Sequence, residues 1–125
     1  VAMSRLLTGL LLVLFSTTAL AAEPAAPTFE AHIRPILKAH CWQCHGEESP
    51  PEGGLDARLA RFLLKGGESG AAIVPGNHSE SLLFQRVASG EMPPGSKKMP
   101  AKEQQLLARW IDAGAKTARP EPETL

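Results

Sequence analysis

The chain of 125 residues has no tyrosine, only two tryptophans and four phenylalanines, and only two cysteines. So few aromatics leave little bulk for a large core. Two cysteines exclude a disulfide-dense secreted scaffold. Charge of either sign is not in excess: 13 basic residues face 13 acidic ones, and a nucleic-acid binder would show a basic surplus. Only one long apolar run exists, which excludes a multi-span channel or transporter. No stretch alternates with period two for long enough to predict a sheet. No phosphate-cradling glycine loop and no nucleophile–histidine–acid set is present. What remains is a chain 43% hydrophobic, too apolar to be disordered, with eleven glycines and eleven prolines marking many loops.

The apolar run is N-terminal. Arg5 precedes Leu6 to Leu14, interrupted only by Thr8 and Gly9, and Ala19-Leu20-Ala21 follows. This pattern predicts a signal peptide over residues 1–21, cleaved after Ala21, and hence a periplasmic protein. The competing expectation is an uncleaved anchor, for which the run is short. Removing residues 1–21 leaves 104, with 12 basic and 13 acidic. Residues 22–27, Ala-Glu-Pro-Ala-Ala-Pro, read as an extended linker, and residues 117–125, rich in Pro and Glu, as a disordered tail.

Helical periodicity organises the rest. Thr28 is placed to cap a helix carrying Phe29, Ile33, Ile36 and Leu37 on one face, with a kink expected at Pro35. Leu55 to Lys65 predicts a short helix ended by Gly66-Gly67. Ser79 is placed to cap a helix containing Leu82, Leu83 and Val87, closed by Gly90. A last helix from about Ala101 to Ala113 carries Leu106, Leu107, Trp110 and Ile111 on one side, with Gly114 as its stop. The fold class expected is all-α, four to five short helices.

The two cysteines stand together as Cys41-Trp42-Gln43-Cys44-His45. Cys-x-x-Cys-His is the pattern of covalent haem attachment. Thiols about one helical turn apart reach the two vinyl groups on one porphyrin edge, and His45 then lies beneath the ring to ligate iron as the proximal ligand. A thiol-disulfide site is the competing chemistry, but no strand–helix context precedes Cys41. Zinc would need further ligands.

For the distal position the chain offers His78, Met92 and Met99, or an open site. A thioether is a soft ligand that raises a haem potential relative to a second imidazole. Met92 is favoured because Pro93-Pro94 stiffen its loop; Met99-Pro100 is the shorter alternative, and either methionine could instead fill core space. His78, His32 and His40 are expected at the surface. His45 should donate its second ring nitrogen to a backbone carbonyl, with Pro50 or Pro51 as candidate acceptors.

Taken in order, Phe29-x-x-x-Ile33-x-Pro35-Ile36-Leu37, the Cys41–Gly46 segment, Gly53-Gly54-Leu55-Asp56, Lys65-Gly66-Gly67-Glu68-Ser69-Gly70, Val74-Pro75-Gly76, Ser81-Leu82-Leu83, Arg86-Val87, Met92-Pro93-Pro94 and Trp110-Ile111-Asp112-Ala113-Gly114-Ala115 resemble the planctomycete-type cytochrome c domain across residues 28–116. The resemblance implies a small monohaem fold with Cys41 and Cys44 as thioether anchors, His45 as proximal and Met92 as distal iron ligand. It also implies crossing terminal helices, so that Phe29 and Ile33 meet Leu107 and Trp110. The expected function is one-electron transfer by a monomer rather than catalysis, with redox proteins as partners and neither nucleic acid nor a retained membrane span. Lys97, Lys98 and Lys102, flanking the Met92 loop, are candidates to steer an acidic partner. The alternatives are a haem-based sensor with a replaceable distal ligand, and a thiol oxidoreductase or peroxidase-like enzyme.

Overall fold

The computed structural model describes residues 21–22 and 24–125; residues 1–20, on which the signal-peptide expectation rests, lie outside them. A widened π-helical turn, Phe29–Ile33, leads directly into α1, Arg34–His40. Three more helices follow: α2, Ala60–Lys65; α3, Leu82–Ala88; and α4, Ala101–Asp112. Among the described residues there is no strand, only one isolated bridge between Gly67 and Gly70. The all-α expectation holds.

Local chemistry sets the boundaries. Pro35 stands in the first turn of α1, where a missing N–H costs nothing. The kink expected at this proline takes the form of a change from π-helical to α-helical winding. Thr28 precedes the turn, but its hydroxyl makes no cap; its N–H donates to His32 Nδ1 at 3.0 Å instead. The helix expected from Leu55 begins only at Ala60. Asp56 accepts from the backbone N–H of Arg58 and from its guanidinium, a local side-chain competitor to helix. Leu59 is consequently extended, with φ −131° and ψ 148°. Ser79 does not cap α3 either. The helix begins after Ser81, whose buried hydroxyl accepts from Val74 N–H at 2.8 Å and donates to the Asn77 carbonyl at 2.9 Å. Ser81 thus fixes the loop before the helix.

The terminal helices cross as the resemblance implied. Phe29 packs on Trp110 with ring centroids 5.7 Å apart. The Lys116 carbonyl accepts both the Trp110 indole N–H and the Phe29 backbone N–H, each at 3.0 Å. That one acceptor ties the end of α4 to the start of the fold. Around this crossing lie Ile33, Leu37, Leu63, Ile73, Leu107 and Ile111, none with appreciable exposure.

Residues 117–125 depart from the expected disordered tail. The N-terminal flank of α2, Leu59, carries no hydrogen-bonding side chain, so the first N–H groups of that helix need an outside acceptor. Glu121 supplies it, accepting from Ala60 N–H and from Arg61 N–H at 3.0 Å. Arg61 also donates to the Glu123 carbonyl, and Ala118 N–H to Glu30. Glu121→Ala is expected to cost about 1 kcal/mol, the usual worth of an N-cap, and to lower the thermal midpoint by about 5 °C for a domain of this size. Glu123→Ala, which removes only a side chain beyond the carbonyl used, leaves the midpoint in place. A midpoint unmoved by Glu121→Ala would restore the disorder that composition suggested.

Candidate functional site

Cys41 closes α1, its N–H bonded to the Leu37 carbonyl at 2.8 Å. The chain continues into a second widened turn, Gln43–Glu47, and leaves helical geometry at His45, with φ −108° and ψ 54°. Three hydrogen bonds lock this segment to residues 52–57. Ala57 N–H donates to the His45 carbonyl at 2.7 Å, the Trp42 indole N–H donates to the Ala57 carbonyl at 3.1 Å, and His45 Nδ1 donates to the Glu52 carbonyl at 3.0 Å. A carbonyl can only accept, so the ring proton is on Nδ1 and the Nε2 lone pair is left to act as a ligand. A backbone carbonyl was expected here, but from Pro50 or Pro51. The acceptor is Glu52, because the 3₁₀ turn Glu52–Gly54 swings that carbonyl beneath the ring.

The glycines of the Gly53-Gly54 and Gly66-Gly67 segments allow two loops to pass backbone against backbone. A Cβ on Gly67 would stand 2.3 Å from the Gly53 carbonyl oxygen, and Glu68 N–H donates to that same oxygen at 2.8 Å. This close approach forms one wall of a cleft of about 650 Å³, its open mouth included. Its lining is mainly apolar, with Leu55, Ala57, Leu83 and Val87 facing Cys41, His45 and Met92. A second cleft shares Cys41, His45 and Met92 and is also lined by Cys44 and Pro93-Pro94.

Met92 and Met99, indistinguishable by their shared Met-Pro dipeptide, separate clearly. Met92 N–H donates to the Arg86 carbonyl at 3.0 Å, which pins the residue to the last turn of α3 and sets it in the cleft. Lys98 Nζ bonds the Pro93 carbonyl at 2.7 Å, bracing the same loop. Met99 is buried in the hydrophobic core at 3% exposure. His78 lies at the far end of α4, bonded to Asp112 at 2.8 Å and set edge-on to Phe84; it lines neither cleft. His40 differs from its expected place in solvent. Its side chain is 8% exposed and its Nε2 is 2.7 Å from Glu103 Oε2. A partner 63 residues away leaves no mark in the local sequence.

The thiols are free, not joined, and poorly suited to exchange chemistry, which needs a thiolate. Burial, then the neighbouring Cys44, pushes the Cys41 thiol up to about 11. Desolvation, followed by the charges of Glu52 and Glu48, raises Cys44 as well. Cys41 also sits at the negative, C-terminal end of α1, the end that disfavours an anion. Among the described residues no group of three His, Cys, Asp or Glu side chains converges as a bare metal ion requires. The Cys41 thiol, an imidazole with a free Nε2 and a thioether on the apolar cleft, with the Cys44 thiol on the adjoining cleft that shares all three, form a donor set for a flat iron-containing ring.

Residues 41–96 match the family model for planctomycete cytochrome C. The match runs from the first cysteine past Met92-Pro93-Pro94, so it covers the whole donor set. The π-helical turn, α1 up to His40, and α4, which the sequence resemblance also included, lie outside the matched stretch. No curated protein and no solved structure matches the chain. A cytochrome c domain implies a haem, and the cleft residues fit one. No helix among the described residues is long and apolar enough to cross a membrane.

Proposed function

We propose that the protein is an exported one-electron carrier holding one haem, joined through thioethers to Cys41 and Cys44, with His45 and Met92 as axial ligands. When bound, the haem supplies a single iron centre that gains or loses one electron. The observation that carries this function is the shared cleft of Cys41, His45 and Met92, with Nε2 of His45 left free by the Glu52 bond.

The residues around the cleft favour a carrier over a catalyst. His45 is held by its ring and its carbonyl, and Met92 by its N–H, so neither ligand must move when charge changes. The Glu52 carbonyl strengthens the imidazole as a ligand. A sensor would need a distal ligand that yields readily, and the bracing of the Met92 loop argues against that. Charge around the opening is divided: Glu47, Glu48 and Glu52 are exposed on the Cys44 side, and Lys97 and Lys102 beyond the Met92 loop. Such a divided rim orients a transient redox partner without binding it tightly.

The test is the intact mass of the protein recovered from the periplasm of a host that matures c-type cytochromes, together with reduced and oxidised spectra. The expected mass is that of residues 22–125 plus one haem. Met92→Ala should change the spectra and lower the potential, while Met99→Ala should leave the ligand bands in place. A bare chain two hydrogens lighter would mean a Cys41–Cys44 disulfide and would overturn the assignment.

A further inference from the structure

We propose that His40 and Glu103 form a clasp that holds the Met92 loop over the cleft and sets how readily the Met92 thioether can be displaced. The inference rests on Met92 being the distal ligand. His40 is the last residue of α1, immediately before Cys41, and Glu103 stands in the first turn of α4. Their side chains meet at 2.7 Å, and the His40 side chain is 8% exposed. His40 also lines the second cleft together with Met92, Pro93 and Pro94.

The loop that carries Met92 runs from the end of α3 to the start of α4. Its first part is fixed by the Met92 N–H bond to Arg86. Its far end is fixed by the burial of Met99 and by Gln104 Nε2 donating to the Met99 carbonyl at 2.8 Å. These bonds join the loop to α3 and α4 but not to the segment that bears Cys41 and His45. The terminal-helix crossing ties α4 to that segment near its C-terminal end; the His40–Glu103 bond adds a link at its first turn, next to the loop. It ties the helix following the Met92 loop to the helix preceding the cysteines, and so fixes the loop against the other side of the cleft. A hydrogen bond to a charged group at a half-shielded site is worth enough to change an opening equilibrium about tenfold. His40 and Glu103 touch neither the reacting atoms nor each other's backbone; both are positioning residues.

The measurement is the rate of carbon monoxide binding to the reduced holoprotein, since carbon monoxide must displace the distal thioether. Glu103→Ala should bind about tenfold faster than the parent chain, and His40→Phe should do the same. Glu103→Gln, which keeps an acceptor oxygen for His40, should stay near the parent rate. Asp112→Ala cuts a comparable histidine–carboxylate bond at the opposite end of α4, to His78; it should leave the rate unchanged even where it lowers the thermal midpoint. Equal rates in Glu103→Ala and the parent would overturn the clasp, as would an equal acceleration by Asp112→Ala, which would reduce the bond to general stability. Met92→Ala separates this failure from that of the ligand assignment. If its spectra and carbon monoxide rate equal the parent's, Met92 is not the distal ligand; if they change while Glu103→Ala has no effect, the clasp alone fails.

Discussion

A chain with Cys41, Cys44 and His45 all replaced by alanine is expected to lose cooperative unfolding and a dispersed NMR spectrum. The helices α1, α2 and α3 have six or seven residues each. Isolated helices shorter than about 12–15 residues are marginal in water even with favourable composition, so these depend on tertiary packing. The packing is good at the α4 crossing, where Trp110 and its neighbours are fully buried. It is poor at the cleft, where Leu55, Leu83 and Met92 face open space rather than each other. A rigid apolar ring filling that space would bury those side chains, and a group that binds only the folded chain stabilises it by mass action. The substitutions themselves remove little packing, since both cysteines are only half-buried. With a total stability of about 5–15 kcal/mol for a typical domain, loss of the central group leaves too little to order helices of one to two turns. A sharp thermal transition and a dispersed spectrum from the haem-free triple variant would show that the α4 crossing alone carries the fold.

Much of the site was legible because its chemistry is contiguous. Cys41, Cys44 and His45 occupy five consecutive residues, and covalent geometry alone holds their spacing. Met92 and Met99 each precede a proline, so residue chemistry offered only a preference; burial of Met99 beside α4 depends on where that helix packs. The helix boundaries were harder. Leu55 to Lys65 has good apolar periodicity, yet Asp56 captures Arg58 and keeps residues 55–59 out of the helix. That non-helical stretch gives the cleft its Leu55 and Ala57 wall. The Glu52 carbonyl, the His40–Glu103 bond and the Glu121 cap share one cause of illegibility. Each joins groups that no periodicity relates, and two of them span sixty residues or more. A Pro/Glu-rich tail reads as solvated by composition, but one carboxylate facing an uncapped helix was enough to place it.

Trp110→Ala should be the most damaging single substitution in the scaffold. The side chain is fully buried, it packs on Phe29, and its indole N–H shares the Lys116 carbonyl with the Phe29 backbone. Replacing a buried tryptophan by alanine costs about 3–5 kcal/mol through lost burial and the cavity left behind. That is roughly 12–25 °C of thermal midpoint for a domain of about a hundred residues. Trp110→Phe keeps most of the packing and loses the indole donor. Because Phe29 N–H still occupies the Lys116 carbonyl, no buried acceptor is orphaned, and the cost should fall to about 1–2 kcal/mol. Trp110 lines neither cleft, so below its midpoint the holoprotein of either variant should keep the parent's spectra. Met92→Ala predicts the reverse pattern, altered spectra with a smaller change in midpoint. A Trp110→Ala variant that melted within about 3 °C of the parent, less than 1 kcal/mol at this size, would mean that the terminal-helix crossing contributes little and that the haem cleft, not the crossing, is where the stability of the fold resides.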